Sequence, residues 1–172
     1  MTPDLTRRRW IVGLSMVGAA MAQAVTLYQT GIIKHLPDPP IPYVDSSKVD
    51  AAPYAYSRFN APDGPLMLIT YGVTGLLAAA GGKDRATQQP WLPLAMALKV
   101  GYDAVQVLRL AREEWSDTQA FCAYCQLATL ASLISAGLAA PEALRALRVL
   151  LAQSDSELAQ HALRAISTAA EP

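Results

Sequence analysis

Apolar residues gather in four segments separated by polar connections. The first runs from Trp10 to Ile33, broken only by Ser15, Gln23, Thr26, Tyr28, Gln29 and Thr30. The second runs from Pro65 to Gly82, the third from Trp91 to Leu110 and the fourth from Gln119 to Ala140. A membrane-spanning helix takes about 20 mainly apolar residues. The first and fourth segments meet this, and the shorter second does so with local thinning of the bilayer or help from flanking residues. The third carries Lys99, Asp103, Gln106 and Arg109, and charges at mid-bilayer cost roughly 3 kcal/mol each. Lys99 and Asp103 stand four residues apart, so on a helix they pair along one face, which turns into a bundle. A soluble helix in a globular core is the alternative for this segment.

This pattern predicts an all-α protein: an integral membrane four-helix bundle with an outer loop between spans 1 and 2. Residues 1–140 form the four-span domain (spans about 10–33, 65–82, 91–110 and 119–140), and residues 141–172 form a cytoplasmic amphipathic helical tail. The loop reads as ordered. Pro37, Pro39, Pro40 and Pro42 prevent helix continuation, Asp45-Ser46-Ser47-Lys48 caps a short helix on the membrane surface, and Ala61-Pro62-Asp63-Gly64-Pro65 resets the chain. In the tail, Leu144, Leu147 and Leu151 share one face. Ser154-Asp155-Ser156-Glu157 forms a capping box for a second helix with Leu158, Leu163 and Ile166, giving a hairpin.

Charge orients the bundle. The 172 residues hold 14 basic and 14 acidic side chains, a balance without the electrostatic footprint of a nucleic-acid binder. Mean hydropathy is only +0.21 because the polar residues collect in the loop and the tail. Arg7, Arg8 and Arg9 precede the first span, Lys83 and Arg85 lie between the second and third, and Arg145 and Arg148 follow the fourth. With four spans these groups share one side, which the positive-inside rule makes cytoplasmic. Both termini are then cytoplasmic, in a bacterial-type inner membrane. Trp10, Trp91 and Trp115 fit interfacial positions. Arg7-Arg8-Arg9 with Ala22-Gln23-Ala24 also has the form of a twin-arginine export signal, but the apolar run continues to Ile33, which favours an uncleaved helix.

Candidate chemistry rests on Cys122-Ala123-Tyr124-Cys125, the only cysteines of the chain. One helical turn brings two such thiols within reach, so they can close a disulfide and reopen it. Two cysteines cannot make a four-ligand structural zinc site with His35 and His161 so distant in sequence, and no metal is expected. Gln126 stands where c-type haem attachment needs histidine, and no strand pattern flanks the motif. Thiol redox chemistry at the outer mouth of a membrane helix remains, exchanging electrons with something dissolved in lipid. Ser116 with Gln119 predicts a capping box that opens the fourth helix, and Ala128, Ser132, Ala136 and Ala140 form a small-residue stripe for close packing.

These residues resemble the vitamin K epoxide reductase family of four-helix membrane quinone reductases, over roughly Trp10 to Leu138. The resemblance lies in the Cys-x-x-Cys opening the last span, in the outer loop, and in Ser46-Ser47-Lys48-Val49-Asp50-Ala51-Ala52-Pro53-Tyr54-Ala55 followed by Ala61-Pro62-Asp63-Gly64-Pro65 and Tyr71-Gly72. It implies that Cys125 faces a membrane quinone (menaquinone or ubiquinone) and that Cys122 exchanges electrons with an incoming thiol. The family relays those electrons through a loop cysteine pair. Here Ser46 stands where the second loop cysteine is expected, and Ala51 or Ala52 where a quinone-binding serine is expected.

The expected activity is therefore thiol–quinone oxidoreduction through Cys122 and Cys125. The partner is a separate thioredoxin-like or other thiol protein that reaches Cys122 directly from the outer face. A flat apolar slot suits a quinone, and Tyr71, Tyr102 and Gln106 are candidate donors to its carbonyl oxygens, each of them equally an interhelical hydrogen bonder. The alternative is a non-catalytic membrane module whose cysteines form a static bridge or pack as small apolar residues.

Overall fold

The computed structural model of the protein describes residues 2–169. In chain order the helices are α1 (Pro3–Gln29), α2 (Ser46–Asp50), a 3₁₀ turn (Pro53–Tyr56), α3 (Asp63–Ala79), α4 (Arg85–Gln88), α5 (Trp91–Thr118) and α6 (Ala123–Ala169). No β-strand forms among the described residues. Val44 and Phe121 make an isolated parallel bridge.

The four apolar segments become the four long helices, with shifted ends. α1 begins at Pro3 because Thr2 caps it, its hydroxyl accepting from the Leu5 amide. Its buried positions are Asp4, Arg8, Ile11, Ser15, Gly18, Ala22 and Val25, alternating steps of four and three that keep one seam along the helix. That seam packs on α3 and α6. Gly18 is required there, since a Cβ would run into the Tyr71 ring. Two helices, α1 and the α6 stretch Ala123–Glu157, are long and apolar enough to cross a membrane, and α3 is a shorter apolar helix.

Three expectations about α5 and α6 need correction. The Ser116–Gln119 capping box does not form: α5 continues to Thr118 and Gln119 turns left-handed at φ 53, so α6 starts at Ala123. The tail is not a hairpin, because α6 runs unbroken through Pro141 and through Ser154–Glu157. The side chains of Leu158, Leu163 and Ile166 lie outside the described residues. The small-residue stripe also drifts. Ala128, Ala131, Ser132, Ser135, Ala139 and Glu142 are buried, whereas Ala140 is exposed, because a strict four-residue step overshoots the 3.6-residue turn.

An apolar core of Ile11, Ala78, Met96, Val100 and Ala139 shares the interior with several polar groups, while many large apolar side chains face outward. Lys99 Nζ lies 2.5 Å from Asp103 Oδ2 and also donates to the Thr70 carbonyl and the Thr74 hydroxyl on α3, the pairing expected from the four-residue spacing. Trp10, Met16, Ile69, Leu76, Leu98, Val105, Leu130 and Ile134 are exposed on the four long helices. At one end, Arg8 donates to the carbonyls of Ala78, Ala79, Ala80, Gly81 and Gly82 and so closes the C-terminus of α3. Beside it the fully buried Arg85 makes a two-pronged ion pair with Glu142 at 2.8 and 2.9 Å, and Arg145 pairs with Asp4.

Candidate functional site

The opposite end carries the cysteines beneath the 30–62 loop. Proline at 37, 39, 40 and 42 keeps the loop's first half extended, and Asp45 then caps α2, its Oδ1 accepting from the Lys48 amide at 2.9 Å. The loop is stitched to the chain before α6 by Phe121 N–H to the Tyr43 carbonyl (2.7 Å) and Asp45 N–H to the Phe121 carbonyl (3.1 Å). Lys48 Nζ donates to the Thr118 carbonyl at the end of α5, and Tyr124 OH to the Pro37 carbonyl. Trp115 stacks on Phe121 with Tyr43 edge-on to it. The loop is a cover, not a linker.

Ser46, at the position of the expected loop cysteine, is fully buried and held by Asp38. Its amide reaches Asp38 Oδ2 at 2.8 Å and its hydroxyl reaches Oδ1 at 2.5 Å. The Ser46 hydroxyl oxygen in turn accepts from the Ala123 amide at 2.9 Å. It thus satisfies one of the amides left free at the start of α6.

Both cysteines are free thiols. Cys122 sits immediately before α6 as its cap, Sγ accepting from the Cys125 amide at 3.2 Å. It is 0% exposed, packed among Val25, Val49 and Ala120, so the expected open access to Cys122 is corrected: the loop covers it. Cys125, one turn on, is half-buried and lines a cavity of about 280 Å³ between α3, α5, α6 and the loop. Tyr71, Tyr102 and Gln106 all line this slot. The Tyr71 hydroxyl is committed to the Ala128 carbonyl (2.6 Å) and the Ser132 hydroxyl (2.8 Å). Tyr102 stands exposed at the edge, and Gln106 is half-buried.

The fold brings two carboxyls to the pair, Asp50, which sequence reasoning passed over, and Glu114. Asp50, at the end of α2, accepts from Cys122 Sγ at 3.1 Å and from Cys125 Sγ at 3.7 Å. The two sulfurs and a carboxylate oxygen of Asp50 lie within 4.8 Å of one another, and the two S–H···O contacts account for their proximity. Glu114 on α5 accepts from the Gln126 amide group at 2.7 Å. Both carboxyls line the slot, as does Asp63, which faces Arg58. Nothing in the spacing of residues 50, 114 and 122 announces this meeting, since α2 is placed by tertiary contacts.

Burial, the largest effect on each, holds these carboxyls in their neutral form to unusually high pH. Asp50 is pushed up to about 6 against the two thiol hydrogen bonds, Asp63 to about 6 against Arg58, and Glu114 to about 7 against Gln126. Each is harder to ionise folded than unfolded, so the unfolded chain releases its protons first as pH rises. Stability from these groups is therefore greatest near pH 4 and declines up to about pH 7. Thermal unfolding should occur at higher temperature at pH 5 than at pH 7.5, and Asp50→Asn should flatten part of that slope.

A family model described as "Vitamin K epoxide reductase family" matches residues 9–140. No curated protein and no solved structure matches the chain.

Proposed function

The chain belongs to the vitamin K epoxide reductase family across residues 9–140, and from that premise we propose that Cys122 and Cys125 pass electrons from a partner thiol to a membrane quinone. Membership implies membrane thiol–disulfide oxidoreductase activity with quinone-linked redox chemistry and thiol partners. The observation that carries the finer reading is the division of labour between the sulfurs. Cys125 lines the slot, while Cys122 lies behind it under the loop. Leu66, Met67, Val107 and Leu110 give the slot an apolar wall that suits a flat lipid-soluble ring, while Asp50, Arg58, Asp63, Asp103 and Glu114 add charged groups to its lining. Tyr102 and Gln106 are its donors, and the Tyr71 ring forms wall.

In the forward reaction a dithiol on a thioredoxin-like protein reduces the Cys122–Cys125 disulfide: one thiolate opens it at Cys122 as a mixed disulfide, and the partner's second thiol displaces Cys122 and closes the partner's own disulfide. The re-formed dithiol then closes the bridge and reduces the quinone, menaquinone or ubiquinone. Because Cys122 is fully covered, the partner must lift the loop to reach it.

The same reading places residues 1–140 as a four-span bundle and 141–172 as a helical tail. Exposed apolar side chains on α1, α3, α5 and α6, with Lys99 and Asp103 turned inward, support it, since a water-soluble bundle hides such residues. Arg8, Arg85 and Arg145 gather at one end, which supports a cytoplasmic assignment for that end and for both termini. The cysteine end then faces outward in an inner membrane, where disulfides persist.

The test is reduction of a water-soluble ubiquinone analogue by the purified full chain with its cysteine pair reduced. Wild type is expected to form quinol, and Cys122→Ser and Cys125→Ser to fall to the rate seen without protein. Wild-type rates in either variant would refute the assignment. The burial of Cys122 favours a second reading, a non-catalytic module in which the cysteines pack structurally. That reading expects the double alanine variant to leave thiol oxidation in cells unchanged, and a trapped mixed disulfide at Cys122 contradicts it.

A further inference from the structure

Reducing a quinone with two thiols moves two protons as well as two electrons, and the protons need a route out of a covered site. Asp50 meets both sulfurs and the slot at once. One carboxyl oxygen accepts from Cys122 and the other from Cys125, at 3.1 and 3.7 Å, and the same side chain is part of the slot wall. It is 3% exposed, so bulk water has little access to the protons it receives.

On the reading that Cys122 and Cys125 reduce a quinone, we propose that Asp50 is a catalytic proton acceptor, taking a thiol proton from the pair and delivering it to the quinone oxygen in the slot. Both S–H bonds break and one S–S bond forms. The electron pair goes to the quinone, whose two oxygens gain two protons, one relayed by Asp50 and one from the other thiol. Asp50 ends as the carboxylate it began as. An ionised carboxylate only accepts hydrogen bonds, matching its posture toward the sulfurs, and once protonated it has a donor for an oxygen in the slot.

The neighbours of Asp50 suit this duty. Cys122 faces it from just before α6 and Cys125 from within α6, Glu114 from α5, Asp63 from α3, Tyr54 and Tyr56 from the 3₁₀ turn, and Asp38 from the loop. From α1, Tyr28 and Gln29 bond the α2 backbone at Ser47 and Asp50. These groups are neutral or acidic, and the Arg58 guanidinium, which lines the same slot, is paired with Asp63 and Glu113. Burial, helped by the charges of Asp63 and Asp38, raises Asp50 to about 6 against the two thiol hydrogen bonds, where a base is ionised at pH 7 and can still carry a proton.

A base and a merely negative neighbour predict opposite signs. Taking a negative charge away from beside a thiol makes its thiolate easier to form, so an electrostatic spectator would leave Asp50→Asn faster than wild type. Loss of a general base slows the step by about 10²–10⁴-fold.

The experiment is single-turnover reduction of a water-soluble ubiquinone analogue by the full chain in lipid nanodiscs. The pair is first reduced with dithiothreitol, the excess is removed, and pH is varied between about 5 and 9. The wild-type rate is expected to fall below about pH 6, and Asp50→Asn to be slowed by the factor above and to lose that fall. Asp50→Glu should keep a measurable rate with the fall displaced. An Asp50→Asn protein that melts like wild type and reacts as fast or faster overturns the proposal while leaving the cysteine reading intact. A wild-type protein that does not reduce the quinone, or a Cys125→Ser variant that does, removes the reading itself. If Asp50→Asn fails to fold, the glutamate variant decides: a pH profile identical to wild type overturns the role of Asp50.

Discussion

Replacing Glu142 by leucine is expected to destabilise the bundle by about 3–5 kcal/mol, the usual result of stranding one member of a buried ion pair. Arg85 is 0% exposed, and its guanidinium has two charge-assisted bonds to Glu142. It also donates to the Leu77 and Ala80 carbonyls at the end of α3 and lies 3.3 Å from Met96 Sδ. With Glu142 gone, the cation stays fixed in place by those carbonyls without an anion. The double variant Arg85→Met, Glu142→Leu should recover much of the loss, because two apolar groups of similar volume leave no buried charge. Denaturant titrations of the three proteins in one detergent check this. If the single and double variants lose equal stability, the pair itself is not what holds this end.

Asp38→Ala is expected to have the second large effect, read at Cys122. A fully buried thiol is alkylated only when its cover opens, and Asp38 holds that cover through two bonds to Ser46. A hydrogen bond to a charged group contributes about 1.5–3 kcal/mol. Losing one such increment of closure raises the open population, and hence the labelling rate, roughly 10- to 100-fold. Cys125, which already meets the slot, should change far less and serves as the internal reference. Equal acceleration at both cysteines would indicate general loosening and sink the idea that Asp38 acts as a clasp.

The clasp changes what the missing loop cysteines mean. In the family pattern the second loop position carries a thiol. Here Ser46 is bonded on one side to Asp38 and on the other to the first amide of α6. The loop keeps a fixed place over Cys122 without any electron-carrying bond, so its closure should be indifferent to added reductant.

Much of the architecture was legible because it rests on local chemistry. The apolar runs gave four long helices, the four-residue step from Lys99 gave the bond to Asp103, and Asp45 capped α2 as its side chain requires. The cysteine motif was legible too, and the fold sets Tyr71, Tyr102 and Gln106 around the slot that Cys125 lines. What failed depended on context. A capping box starts a helix only where the preceding turn has ended, and at Ser154 it had not: α6 runs on, and nearby Ser156 bonds back to the Gln153 carbonyl. The Ser116 box lost to continuation of α5, where Ser116 bonds back to Glu113 in the same way. Asp50 escaped notice because its significance lies in a meeting of α2 with the start of α6 that no sequence interval encodes.

The unbroken course of α6 has a practical consequence. Ala146 is buried against the bundle, and the helix then continues to Ala169, an arm of about 35 Å at 1.5 Å per residue. A reporter protein fused behind that arm would stand clear of the bundle and of the cysteine end alike. Its fluorescence or enzymatic signal would disclose which compartment receives the C-terminus in living cells, without touching a residue of the redox site.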